Sequence, residues 1–168
     1  MELKLKTISR AGIAEAISKA ERYRLLNEPG EAESICRDIL AIEPENQMAL
    51  RLLGLAITDR FTGSGGDHFA DAEGVFARLA DSYERLYYAG ILHERRAKAL
   101  LRADARPPTV VALLEEALRC FGEAEKIRPE GNDDAILRWN RCVRLLQSQP
   151  DFEAEEAAAF EVQDSPPA

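Results

Sequence analysis

Apolar residues in this chain recur every three or four positions, the spacing that gives an α-helix one buried face. Ala16, Ala20 and Tyr23 mark such a face on a helix expected at about 9–26, after an alternating segment, 1–8, that reads as a short extended arm. Asn27-Glu28-Pro29-Gly30 breaks the pattern, because Gly and Pro both disfavour helix interiors. Ala32, Ile35, Cys36, Ile39 and Leu40 predict a second helix at about 31–42, ended by Pro44, and Leu50, Leu53, Gly54 and Ile57 a third at 46–61. The run Thr62-Gly63-Ser64-Gly65-Gly66 reads as a flexible elbow.

Phe69, Ala72, Phe76 and Leu79 predict the next helix over 67–80. Asp81 with Glu84 three residues on has the form of a capping box, opening a long helix at 82–103. Arg106-Pro107-Pro108-Thr109 reads as a loop whose Thr109 caps a helix at 110–127. After the break at Pro129 and Gly131 a last main helix is expected at 132–147. The expected fold is all-α, with antiparallel helix pairs near 13–26/31–43, 46–61/67–80 and 82–103/110–127.

Two segments align with each other. Ala32-Glu33-Ser34-Ile35-Cys36, running on to Ile42 and Pro44, corresponds to Ala117-Leu118-Arg119-Cys120-Phe121, running on to Ile127 and Pro129. With Ala20 and Tyr23 in a first unit, Leu50, Leu53, Gly54, Ala72, Phe76 and Leu79 in a second, and Leu86, Gly90, Ala117, Phe121 and Ala124 in a third, the pattern resembles the tetratricopeptide repeat. That resemblance covers about 13–146 and implies a right-handed superhelical stack of helix pairs, a TPR-like α-α superhelix. The chain departs from the family in a longer Gly54–Ala72 interval, at the Gly-rich turn, and a still longer Gly90–Ala117 interval. Trp139 stands where the family places a small residue, so 132–147 reads as a cap with Trp139, or else Leu137 or Val143, covering the open end. Residues 1–150 form the expected repeat domain and 151–168 an acidic C-terminal tail with a short helix around Phe152 and Phe160.

Composition narrows the function. The net charge is −8, and the tail holds Asp151, Glu153, Glu155, Glu156, Glu161 and Asp164 with no Lys or Arg, leaving the repeat region near neutral. Bulk attraction to nucleic acid or to an anionic membrane is not expected. No apolar run is long enough to span a bilayer and the start is too polar for a signal peptide, so the expected compartment is the cytoplasm.

Candidate chemistry is sparse in the sequence. Cys36, Cys120 and Cys142 are far apart, lack any CxxC pair and read as buried thiols in apolar helical stretches. His68 could share a helix face with Asp71, but no second His is near; a helix N-terminus favouring acidic residues accounts for the segment. His93 could act as a base beside a carboxylate, yet no Ser or Cys partner stands at a recognisable spacing. Gly63-Ser64-Gly65-Gly66 lacks the Lys and Ser/Thr of a phosphate loop. The expectation is therefore no catalytic residue, no metal, no cofactor, and no enzyme.

The repeat resemblance implies a concave surface lined by the first helix of each unit. Carried over position by position, it gives Arg24 and Leu25 with Glu21, then Arg51, Leu55 and Thr58, then Tyr87, Ile91, Glu94 and Arg95, and last Asn140 and Arg144. The partner-binding set is Arg24, Arg51, Leu55, Tyr87, Ile91, Arg95, Asn140 and Arg144, with the arginine tips expected exposed on one side. The competing account is that these arginines simply solvate and cross-link a helix surface. The expected function is an adaptor or scaffold that binds another protein or peptide, an acidic one suiting the arginines; self-association is a further expectation. The alternatives are a helical-fold enzyme with a His93/carboxylate pocket and a small secretion-chaperone-like protein.

Overall fold

The computed structural model describes residues 3–104 and 107–149, so the tail expected at 151–168 lies outside the described residues. Seven α-helices and a short 3-10 turn make up the regular structure among those residues, with no strand. A 3-10 turn at Arg10–Gly12 leads into α1, Ile13–Leu25, and the Ser9 hydroxyl caps that turn by accepting from the Gly12 N–H at 3.2 Å. Helix α2 spans Pro29–Ile42, starting two residues earlier than its expected bound. Pro29 does not break it but opens it, because a proline at the first helical position gives up an N–H that has no helical acceptor anyway.

Helix α3, Gln47–Asp59, is capped by Asn46, whose side-chain oxygen accepts from the Ala49 N–H at 3.0 Å. Helix α4 is Phe69–Ala77 and α5 is Ser82–Arg102. Asp81 caps α5 as expected, accepting from the Glu84 N–H at 2.8 Å, but Glu84 also accepts from Arg51 on α3 at 2.8 Å. Helix α6, Pro107–Lys126, begins before Thr109, which lies inside the helix and is not its cap. Helix α7 is Asp134–Gln147.

Each helix packs on the next, and α1, α3, α5 and α7 also touch one another in sequence. The expected pairs are therefore present as an all-helical stack of consecutive hairpins, and the odd-numbered helices form a shared wall. The spacing of that wall is set by small residues. A Cβ built on Gly54 of α3 would fall 2.2 Å from the Phe76 ring of α4, and one on Gly90 of α5 would fall 2.5 Å from the Phe121 ring of α6. The corresponding positions of the first pair, Ala20 and Cys36, are both fully buried. Where the first helix keeps a methyl, its partner is a small thiol; where it has none, the partner is a phenyl ring. Ala32 and Ala117, expected at tight crossings, are also fully buried.

The glycine-rich segment is pinned rather than loose. The Asp67 carboxylate accepts from the Thr62 N–H and the Gly63 N–H, both at 2.8 Å, and from the Thr62 hydroxyl at 3.0 Å. Arg96 of α5 closes an ion pair on the same carboxylate, whose side chain is only 3% exposed. Gly63 has φ +84° and lies against the Ala99 carbonyl, so a side chain there would be both strained and obstructed. Burial pushes the Asp67 acid upward, but the Thr62 and Gly63 hydrogen bonds and the Arg96 charge outweigh it and hold it below its ordinary 3.8.

Two outcomes are expected. Gly54→Ala should destabilise the fold by about 1–3 kcal/mol through overpacking, and Phe76→Leu in the same chain should recover part of that loss; urea unfolding of the single and double variants measures both. Asp67→Asn should cost about 3 kcal/mol near neutral pH, by leaving Arg96 unpaired. Because the folded-state value is depressed, this contribution is complete above 3.8 and disappears as pH falls through the lower folded value. The stabilities of the variant and the parent should therefore converge in acid, and a gap that stays constant to low pH would contradict the Asp67 account.

Candidate functional site

Two features stand out on this scaffold. One is an open pocket on the wall of odd-numbered helices, of about 350 Å³, lined by Glu21, Arg24 and Leu25 of α1, Met48, Arg51, Leu52 and Leu55 of α3, and Tyr88 of α5. It brings together Arg24, Arg51 and Leu55 of the sequence-derived set, along with the flanking Glu21 and Leu25. Leu25 is 88% exposed at its rim. Met48 and Tyr88 were not in that set. Tyr88 follows Tyr87 along the helix, and it is Tyr88 that stacks on Phe76 and reaches this pocket.

The arginine tips are less exposed than the groove reading expects, and they cross-link helices as the competing account has it. Arg24 donates to Asp59 at 2.7 Å and Arg95 to the other oxygen of Asp59 at 2.5 Å. Arg95 also donates to the Leu55 carbonyl at 3.1 Å and the Thr58 hydroxyl at 2.7 Å, while Arg51 is tied to Glu84. Their side chains retain between 20% and 28% exposure, so the tips lie partly buried in a network that stitches α1, α3 and α5 together. Two guanidiniums share the single Asp59 carboxylate. Burial and the nearby Arg24 charge both push the Arg95 guanidinium down, with Asp59 opposing them.

The C-terminal members of the set are more dispersed. Ile91 is 2% exposed and belongs to the core. Tyr87 lies in an aromatic group, stacked on Tyr83 and edge-on to Tyr88. Glu94 is fully buried, paired with Lys98 and, at 3.5 Å, with Arg138 of α7. Asn140 and Arg144 are exposed on α7, outside the pocket. Trp139 lies over Gly122 of α6, whose Cβ position is 3.1 Å from its ring, and remains 37% exposed.

The second feature corrects the expectation of no catalytic or metal constellation, and with it the reading of the chain as no enzyme. A ring nitrogen of His93 on α5, a carboxylate oxygen of Glu116 and the Cys120 sulfur on α6 all lie within 4.8 Å of one another. Glu116 and Cys120 are one turn apart on one helix face, and the α5/α6 hairpin brings His93 beside them. His93 is half-buried with its ring tilted against Phe69 at 5.5 Å, and its Nδ1 is buried without a hydrogen-bond partner. Burial pushes its imidazole below 6.5, toward the neutral form, against the pull of Glu116 and Glu73.

Burial likewise pushes the Cys120 thiol up, so the sulfur is protonated and a poor nucleophile as it stands. Arg119 binds Glu116 through two hydrogen bonds, of 3.0 and 2.5 Å, and holds its carboxyl below the usual range. The cluster thus offers nitrogen, oxygen and sulfur donors in one place. Cys36 and Cys142, buried as expected, have their thiols pushed up to about 12 by the same desolvation and belong to no such group among the described residues. His68 pairs with Asp71 at 2.8 Å on an exposed face.

The signal for the cluster was present in the sequence. Gly90 and Phe121 occupy matched repeat positions, and an antiparallel pair that crosses there carries residues just after 90 past residues just before 121. Glu116 and Cys120 lie far from His93 along the chain, and only the hairpin makes them its neighbours. No family model, curated protein or solved structure matches this chain.

The shared carboxylate is testable. Asp59→Asn should lower stability by about 2 kcal/mol, since it leaves two guanidiniums facing each other. Adding Arg24→Gln should recover part of the loss by removing the repulsion. Denaturant unfolding of the three variants is the check, and a second substitution that deepens the loss would refute the sharing.

Proposed function

We propose that this chain is a tetratricopeptide-like, right-handed helical-repeat scaffold that receives a segment of another protein on its odd-helix wall. The observation that carries this reading is the pocket between α1, α3 and α5, open to solvent and edged by Leu25, Met48, Arg24 and Arg51. Its apolar floor of Leu52 and Leu55 suits an apolar anchor. Arg24 at the pocket edge bonds Asp59 through its Nε, and its terminal guanidinium nitrogens suit an acidic residue beside that anchor. Three cysteines, all buried and unpaired, support the cytoplasm as the compartment. No helix among the described residues is long and apolar enough to cross a membrane.

The His93, Glu116 and Cys120 cluster favours a second reading, a helical-fold enzyme whose chemistry is centred on His93 and a carboxylate. An imidazole that burial biases toward its neutral form, with a ring nitrogen close to a carboxylate, is the arrangement a general base needs. The pocket and the cluster are built from different residues, so the two readings are separable.

Selection of short peptides on the immobilised full chain should enrich sequences with an apolar anchor next to Asp or Glu. Leu25→Asp combined with Met48→Glu should abolish their binding and leave the helical spectrum and melting temperature unchanged, because both residues lie at the exposed rim. Arg51→Glu is a poorer probe, since it also breaks the Glu84 pair. Peptides that bind the double variant as tightly as the parent would place recognition elsewhere and overturn the reading.

A further inference from the structure

We propose that His93, Glu116 and Cys120 form a binding site for a zinc-type divalent transition ion, held between α5 and α6 with one coordination position open. The donor set is mixed: imidazole nitrogen, carboxylate oxygen and sulfur. Such a set suits borderline ions such as Zn²⁺ or Co²⁺ and not Mg²⁺ or Ca²⁺, which take oxygen ligands in larger number. A four-coordinate ion with bonds of about 2.0–2.3 Å needs donors roughly 3.5 Å apart. The three donors lie within 4.8 Å of one another, so a modest side-chain adjustment brings them to that distance. Glu116, with its side chain 38% exposed, has room to make it.

A second observation points to a ligand. The Nδ1 of His93 is buried and has no hydrogen-bond partner, which is costly for a ring nitrogen unless something binds there. The ring is also held in place, tilted against Phe69 and close to Glu116 and Cys120. No comparable group surrounds Cys36 or Cys142 among the described residues.

Binding is a simple exchange. The Cys120 thiol gives up its proton to solvent as its sulfur bonds the cation, so one proton leaves per ion and no oxidant or reductant is involved. Three protein donors leave the fourth position for water, the arrangement of reactive and not closed structural sites. Arg119 competes for Glu116: the carboxylate accepts its two hydrogen bonds from an exposed guanidinium, and the ion must share or displace them. Exposed pairs of this kind are weak, so the competition is one the ion wins. The site deepens the second reading above. Binding without turnover would end the enzyme reading and leave the site standing, and absence of binding would leave the peptide pocket untouched.

The test uses the full chain, stripped with a chelator and titrated with Co²⁺ and then Zn²⁺. The expected result is one Co²⁺ per chain with a thiolate-to-cobalt charge-transfer band, displaced by Zn²⁺, one proton released per ion, and a melting temperature raised by Zn²⁺. C120A and H93Q should lose the band and the thermal shift, while C142S keeps both. E116Q should weaken binding on the order of tenfold or more, and R119A should tighten it by freeing the carboxylate. If C120A fails to fold, E116Q and R119A, whose side chains reach solvent, decide the matter by moving affinity in opposite directions. No band in the parent chain, a band that persists in C120A and H93Q, or equal affinity in E116Q, R119A and the parent would each overturn the proposal.

Discussion

The contact on which this fold depends is a phenyl ring seated on a glycine. Phe76 lies on Gly54 and Phe121 on Gly90, each at a distance where even one methyl would collide. A helix with no Cβ at the crossing lets its neighbour approach closely, and the ring then fills the space between backbones. Because the crossing fixes how far apart α3/α4 and α5/α6 sit, it also fixes how α3 and α5 face each other. The ion pairs between Arg51 and Glu84 and between Arg95 and Asp59 then bridge α3 and α5. The first pair solves the same problem with smaller groups, Ala20 and Cys36, so what recurs along the stack is a small residue on the first helix rather than any one residue type.

The charges on the odd-helix wall have a structural use before any functional one. Arg24, Asp59 and Arg95 join α1, α3 and α5; Arg138 and Glu94 join α7 to α5. A ladder of this kind gives the wall its alignment, because guanidinium groups and carboxylates pair with defined geometry. It also bears on the partner proposed above. An acidic segment would not find bare cations but guanidiniums already bonded, so affinity must rest largely on the apolar rim and floor. Charge would then act on orientation and association rate more than on binding strength.

Periodicity made the helices legible, and the Gly/Ala/Phe pattern gave their pairing. Bounds missed where proline was read as a breaker: Pro29 and Pro107 open helices, because the first turn has no use for their missing N–H. The elbow was misread for a related reason. Glycine content reports what the backbone is free to do, while the order at 62–67 comes from one carboxylate, Asp67, whose partner Arg96 lies on another helix. The lining of the α1/α3/α5 pocket was partly legible, since repeat positions place Arg24, Arg51 and Leu55 on one wall. The state of those arginines was not, because Asp59 and Glu84 become partners only when the pairs stack. Glu116 and Cys120 fall in the same class. Each is ordinary within its own helix and gains meaning from the helix packed beside it.

The placement of the His–Glu–Cys cluster follows from the irregularity of the hairpin that carries it. Helices α5 and α6, at 21 and 20 residues, outrun every other helix described, the longest of which has 14. The extra turns extend the apolar cluster that holds Phe121, adding a further contact along the hairpin where Ala97, Val110 and Leu114 are fully buried. His93 and Cys120 therefore lie between two fixed points, the Gly90–Phe121 crossing on one side and this second apolar contact on the other. A site held at one end swings with its helices; one held at both ends keeps its donors at a set distance, which is what selective coordination demands. Phe69 of α4 adds a third wall by tilting against the imidazole. The residues that lengthen the third unit beyond the repeat pattern are thus the same residues that hold this cluster in register.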